Sequence, residues 1–218
     1  MSLREITRQS ILDTDIYCLT AEKFSLGRSN IEVVRAMLEA GIKLVQYREK
    51  EKKSGLMYKE CMEIRRMTRA AGAAFIVNDD IDLAMMVKAD GVHIGQEDYP
   101  VPVVRKLVGE KMAIGLSTHA PEEARKAVAD GADYIGVGPI FRTFTKDDVV
   151  DPVGFEYLEH VVGNIDIPFV AIGGIKEHNV IDVVKRGARC VALVTEIVGA
   201  DDIGGTIAAL RREMQSGK

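Results

Sequence analysis

Hydrophobic positions in this chain come in short bursts, each introduced by a small-residue turn. AGIKLVQYR, ADGVHIG, DGADYIGVG and RGARCVALV share this grammar at Gly41, Gly91, Gly131 and Gly187. A glycine just past a helix relieves the strain of a left-handed cap, and each apolar run is too short for another helix. AAFIVN, MAIGLS and PFVAIGG lie between them and are also apolar and bounded by turn residues. IYCLT near the start brings the predicted strands to eight. Amphipathic periodicity predicts helices over 30–40, 55–71, 81–87, 102–108, 121–130, 154–162, 179–186 and 201–214.

Strict strand–helix alternation implies parallel strands joined by helical crossovers. Eight such units predict an α/β chain folded as one (β/α)8 TIM barrel domain over residues 1–218, with 1–15 as an N-terminal extension. An open doubly wound sheet is the competitor, but it uses fewer strands, and no GxGxxG follows the first strand. The barrel sets where chemistry is sought, because barrel active sites lie at the C-terminal ends of the strands.

Composition narrows the function classes. Hydrophobic residues make up 47% and charged residues 28% of 218, enough for a full core. A net charge of −4 argues against a nucleic-acid partner, so any anion site must be local. The N-terminus MSLREITRQS lacks an apolar signal core, and no run approaches the roughly 20 apolar residues of a membrane helix. The expectation is a cytoplasmic protein without a membrane partner; a homo-oligomer remains open. Cys18, Cys61 and Cys190 have no metal or redox spacing, and Cys18 and Cys190 read as small buried hydrophobes.

The strand ends carry the candidate chemistry. Alternation in LVQYREK puts Gln46, Arg48 and Lys50 on one face and turns Val45 and Tyr47 toward the helices. Two cations at a barrel mouth suit an anion, a reading favoured over a salt-bridged interior because the adjacent strands supply matching chemistry. FIVNDD and GVHIGQED end neighbouring strands in acid. Asp79 and Asp98 could supply the one or two carboxylates that Mg²⁺ takes beside phosphate oxygens, or such clusters could simply cap helices. Asp80 reads as the helix-terminal member. His93 should point inward, most simply as a hydrogen-bonded core residue, while His119, His160 and His178 read as surface. Ser117 could donate to a phosphate oxygen and Thr118 could cap the next helix; without a GxSxG setting or a paired histidine, a serine nucleophile is not supported. In GVGPIFRTFTKDD, Thr143, Thr145 and Lys146 offer phosphate-facing groups. AIGGI and LVT end strands seven and eight, where barrels often hold phosphate on backbone amides, here of Gly173, Gly174, Val194 and Thr195.

Together VQYREK, VNDDIDLA with ADGVHIGQED, IGLSTH, GADYIGVGPIFRTFTK, and AIGGI followed by GARCVALVT resemble the thiamine-phosphate synthase family, in family order from about Ile16 to Ile197. The resemblance implies a transferase that joins 4-amino-2-methyl-5-hydroxymethylpyrimidine diphosphate to a thiazole phosphate and releases pyrophosphate. It implies that Gln46, Tyr47, Arg48, Glu49, Lys50, Asn78, Ser117 and Lys146 bind the diphosphate. Arg48, Lys50, Ser117 and Lys146 would serve its departure. Asp79 and Asp98 would ligate Mg²⁺, while Thr143, Phe144, Thr145, Gly174, Val194 and Thr195 would hold the thiazole phosphate. Two positions depart from the pattern: Arg142 stands where the family usually has proline, and Thr195 where it usually has serine. A thiazole tautomerase of the same family is the nearest rival, and a non-catalytic precursor-binding regulatory barrel is the rival of another class. Retention of Arg48, Lys50, Asn78, Asp79, Asp98 and Lys146 favours the synthase.

Overall fold

The computed structural model of the chain describes residues 13–143 and 151–217. Eight parallel strands close into a barrel in sequence order, β1 pairing with both β2 and β8. They are β1 Ile16–Leu19, β2 Leu44–Tyr47, β3 Ala74–Asn78, β4 Gly91–Ile94, β5 Ala113–Thr118, β6 Tyr134–Val137, β7 Phe169–Ile172 and β8 Val191–Leu193. The eight expected helices are α1 Asn30–Glu39, α2 Ser54–Ala71, α3 Ile81–Met86, α4 Val101–Val108, α5 Pro121–Ala129, α6 Gly154–Asn164, α7 Val180–Lys185 and α9 Ile203–Ser216. Between β8 and α9 a four-residue helix, α8 Thr195–Val198, was not anticipated. It is too short to show a period of its own in the sequence.

Side-chain caps start two of these helices. Ser29 caps α1 in a reciprocal box: its hydroxyl accepts from the Glu32 amide while Glu32 accepts from the Ser29 amide. Asp202 accepts from the Gly205 amide at 2.9 Å and opens α9. Thr118, expected as a possible helix cap, does other work. Its hydroxyl donates to the Gly136 carbonyl and accepts from Tyr157, and Ala120 occupies the cap of α5.

Strand alternation divides the core in two. Ile16, Cys18, Val45, Phe75, Val77, Val92, Ile94, Ile114, Ile135 and Val137 face the helices in one large cluster. Tyr17, Leu19, Leu44, Ala74, Ile76, Tyr134, Val170, Cys190 and Ala192 fill the barrel interior. All three cysteines are buried, and burial pushes each thiol upward, so none is a poised nucleophile.

The N-terminal end of the barrel is closed by three arginine–aspartate pairs. Asp15, Asp90 and Asp133 each stand just before a strand, and Arg211, Arg65 and Arg105 reach them from helices. Arg65 holds Asp90 through two bonds of 2.6 and 2.8 Å, and the same carboxylate accepts from the Phe75 amide of β3. Asp133 likewise accepts from the Ile114 amide of β5. Each of these two carboxylates thus links a helix to the neighbouring strand's backbone, which offsets the cost of burying a charge. This end is a stability floor, and chemistry is left to the opposite face.

Among the described residues no helix is long and apolar enough to cross a membrane.

Candidate functional site

The C-terminal face opens into a cavity of about 330 Å³. It is lined by Gln46 and Arg48 from β2 and its loop, Asn78 from β3, His93 from β4 and Ser117 from β5. Thr143, Gly174, Val194 and Thr195 line it from the far side. Eight expected site residues therefore meet in one space. Arg48 is only 8% exposed, which strengthens its field because little water screens it.

The contiguous run from Gln46 to Lys50 does not act as one surface. Tyr47 points outward, as alternation requires, and its hydroxyl donates to Glu60 Oε2 on α2 at 2.7 Å. Glu49 Oε1 accepts from the Glu22 amide at 2.8 Å and from Asn30 Nδ2 at 2.9 Å. Lys50 is exposed and off the cavity lining, because β2 ends at Tyr47 and strict alternation ends with it. Tyr47 and Glu49, expected among the substrate-binding residues, instead belong by their side chains to a network behind the mouth. Lys52 completes it, pairing with Glu22 and Glu60 at 2.5 Å each. The network ties the loop carrying Arg48 to α1 and α2.

Asp79 and Asp98 lie on the loops after β3 and β4, and neither is among the residues that line the cavity. The Asp79 amide donates to the His93 carbonyl at 2.9 Å, and Asp79 adopts a left-handed φ of 61°. Aspartate tolerates that conformation better than most residues. Asp98 Oδ2 accepts from the Gly95 amide at 2.7 Å, and Gln96 on the same loop donates to the Ser117 carbonyl. Among the described residues no group of three or more His, Cys, Asp or Glu could hold a metal ion. Two hard carboxylates on adjacent loops nevertheless match an ion that needs only one or two from protein. By donor type, two carboxylates suit Mg²⁺ rather than zinc, which prefers sulfur and imidazole nitrogen. Asp80 holds the cap position of α3 without a capping bond, and burial, with Asp82 nearby, raises its carboxyl.

Two groups escaped the sequence reading. His119, expected at the surface, is half-buried, lines the cavity, and donates from Nδ1 to the Gly138 carbonyl at 2.5 Å. That partner lies 19 residues away, so local sequence could not reveal it. Tyr17 and Tyr134 also line the cavity from β1 and β6. The alternation that turned Gln46 inward would have found both. His93 does point inward, with Nδ1 3.0 Å from Tyr134 Oη and Nε2 3.0 Å from Ser117 Oγ, so Ser117 has the histidine partner that its sequence neighbourhood does not show. His160 is half-buried rather than exposed, and His178 is exposed.

Across the mouth, Gly173 and Gly174 have φ of 99° and 63°. A Cβ on Gly174 would lie 2.6 Å from the Arg142 carbonyl oxygen, so glycine is what lets these loops approach. Lys176 and the Glu177 amide both reach Glu196, at 2.8 and 3.0 Å, and join the loops after β7 and β8. Phe144, Thr145 and Lys146 lie outside the described residues.

Comparison with known proteins places this geometry. A sequence model described as thiamine monophosphate synthase matches residues 16–197. The thiamine-phosphate synthase of Pelotomaculum thermopropionicum is 65% identical over 201 residues, covering 92% of each chain. That of Caldicellulosiruptor saccharolyticus is 59% identical over 211 residues, covering 96% of each. Among solved structures, a thiamine phosphate pyrophosphorylase from Pyrococcus furiosus superposes with a TM-score of 0.87 at 33% identity, over 97% of this chain and 98% of that one. The match spans all eight strands and the loops that build the mouth, and the chain belongs to the thiamine monophosphate synthase family of transferases.

Proposed function

We propose that the chain joins 4-amino-2-methyl-5-hydroxymethylpyrimidine diphosphate to 4-methyl-5-(2-phosphooxyethyl)thiazole, giving thiamine phosphate and pyrophosphate. The observation that carries this reading is the two-sided cavity: Gln46, Arg48, Asn78 and Ser117 on one wall, Gly174, Val194 and Thr195 on the other. One wall offers a buried cation and polar side chains for a diphosphate. The other offers backbone at glycine-permitted closeness, suited to a single phosphate.

In this reaction the methylene C–O bond breaks and its electron pair leaves with pyrophosphate. The aminopyrimidine ring delocalises the positive charge that develops on the methylene. The thiazole nitrogen then forms the new C–N bond with its lone pair. The protein is not required to supply a nucleophile, which agrees with three buried thiols that burial keeps protonated. Arg48 in the cavity wall, Lys50 from the exposed loop that follows it, and Lys146 would balance charge on the departing pyrophosphate, with Ser117 donating to it. Gln46 and Asn78 would orient the pyrimidine diphosphate. Thr143, Phe144 and Thr145, with the amides of Gly174, Val194 and Thr195, would hold the thiazole phosphate so that its nitrogen faces the methylene. Asp79 and Asp98 would hold Mg²⁺, which when bound neutralises charge on the diphosphate oxygens. Water exclusion matters here, since water would otherwise trap the cation.

Binding of each substrate measured separately, followed by product analysis of the mixture with Mg²⁺, tests the proposal. Thiamine phosphate should form only when both substrates and the metal are present. Tight binding of each substrate with no product would leave a precursor-binding barrel instead. Rearrangement of the thiazole alone would leave a tautomerase.

A further inference from the structure

A line of hydrogen bonds crosses the barrel interior at the level of the cavity floor. Gln46 Nε2 donates to Tyr17 Oη at 2.7 Å, and Tyr17 Oη lies 3.1 Å from Tyr134 Oη. Tyr134 Oη lies 3.0 Å from His93 Nδ1, and His93 Nε2 lies 3.0 Å from Ser117 Oγ. Five side chains from β2, β1, β6, β4 and β5 are joined end to end.

Proton counting gives the line a direction. An amide nitrogen only donates, so Tyr17 oxygen accepts at that end and its own proton goes to Tyr134. The Tyr134 proton then goes to His93 Nδ1. A neutral imidazole accepting at Nδ1 carries its proton on Nε2, which donates to Ser117 Oγ. The Ser117 proton is thereby left for another partner. Both phenols keep their protons, since burial pushes Tyr17 and Tyr134 well above the ordinary range.

The barrel is shaped around this line. A Cβ on Gly115 would lie 2.1 Å from Tyr134 Cζ and 2.5 Å from His93 Nδ1, and one on Gly136 would lie 3.4 Å from His93 Cε1. Strand β5 therefore gives up a side chain where the tyrosine and histidine meet, whereas a Cβ on Gly136 of β6 would only make ordinary contact with the histidine. The opposite direction would turn the Gln46 carbonyl to Tyr17 and use the Ser117 proton on His93. That would leave only an acceptor oxygen facing an anion, an unfavourable pairing.

We propose that Tyr17 and Tyr134 are positioning residues that impose one direction on this chain, so that His93 is protonated on Nε2 and the Ser117 hydroxyl donates into the cavity. The choice of direction rests on the reading of the Ser117 wall as an anion site. The geometry of the chain stands apart from it.

Nitrogen-15 NMR of the histidine-labelled full chain, without substrates and at a pH above the ordinary imidazole value of about 6.5, tests this. The His93 resonances are identified by their loss in His93→Gln. The expected result is a protonated Nε2 and an unprotonated Nδ1. In Tyr134→Phe, which keeps the ring but removes the donor, the two nitrogen shifts should move toward each other. The same variant should lose up to about tenfold in kcat, one hydrogen bond's worth, with the KM for thiazole phosphate unchanged. Tyr17→Phe is read in the same way should Tyr134→Phe fail to fold. A proton on Nδ1 in the parent overturns the proposal, as does an unmoved His93 proton in a folded variant. The tautomer needs no turnover to be read. Nδ1–H in a chain that makes thiamine phosphate would overturn the directional chain alone, whereas Nε2–H in a chain without product would overturn only the coupling reaction.

Discussion

The Asp79 amide donates to the His93 carbonyl oxygen at 2.9 Å, which fastens the loop after β3 to the end of β4. Two residues beyond His93, the Gly95 amide donates to Asp98 Oδ2 at 2.7 Å. Both carboxylate-bearing loops thus hang from one strand end. Asp98 has a structural bond as well as its proposed metal role, and one substitution can separate them. Asp98→Asn keeps an oxygen for the Gly95 amide and loses the charge. Thermal denaturation should show stability within about 0.5 kcal/mol of the parent. The rate at limiting pyrimidine diphosphate should fall on the order of 100-fold, with a higher Mg²⁺ requirement and unchanged thiazole phosphate binding. An unaltered Mg²⁺ dependence would remove Asp98 from the metal site.

Gly174→Ala should act on the other substrate. Its Cβ would lie 2.6 Å from the Arg142 carbonyl at a φ of 63°, so the two loops must separate. The expected outcome is a KM for thiazole phosphate raised about tenfold, with affinity for the pyrimidine diphosphate preserved. Equal losses for both substrates in a calorimetric titration would contradict a two-sided cavity.

Asp90→Ala tests the floor. It leaves Arg65 buried without its partner and the Phe75 amide without its acceptor. Removing one member of a buried pair costs about 3–5 kcal/mol, readable as a lower denaturation midpoint. The folded fraction should keep its kcat, since this pair lies at the end opposite the mouth.

Glu60 gives the network behind the mouth a pH signature. Burial alone would raise its carboxyl, but hydrogen bonds from Lys52, Tyr47 and Asn30 outweigh that and hold it below the ordinary 4.5. A carboxyl lowered on folding adds stability that is fully present above 4.5 and is lost as pH falls through the folded value. Melting curves should therefore show the parent losing its margin over Glu60→Gln as pH drops below 4.5. Near neutrality the variant should be less stable by about 1 kcal/mol, the scale of a partly exposed ion pair. A margin that stays constant on acidification would contradict the network's ionic character.

The barrel was legible because each strand is a short apolar run behind a turn, and eight such runs leave few alternatives. Alternation also turned Gln46 inward and Tyr47 outward correctly. It could not reach Lys50, which lies past the end of β2. Reading VQYREK as one binding surface overrode that same alternation, and Tyr47 and Glu49 instead belong to the network around Glu60. His119 was read as surface because its partner, the Gly138 carbonyl, comes from the next strand's loop. The floor pairs were missed for a similar reason. Asp90 and Asp133 look like ordinary turn residues until Arg65 and Arg105 arrive from helices 25 and 28 residues away.

The central claim is that one cavity holds both phosphorylated substrates and joins them. Phosphorus-31 NMR of the full chain with the pyrimidine diphosphate, the thiazole phosphate and Mg²⁺ tests it most directly. The account expects the organic diphosphate signals to give way to inorganic pyrophosphate while thiamine phosphate appears in equal amount. Pyrophosphate released without thiamine phosphate, or both substrates bound and left intact, would contradict it.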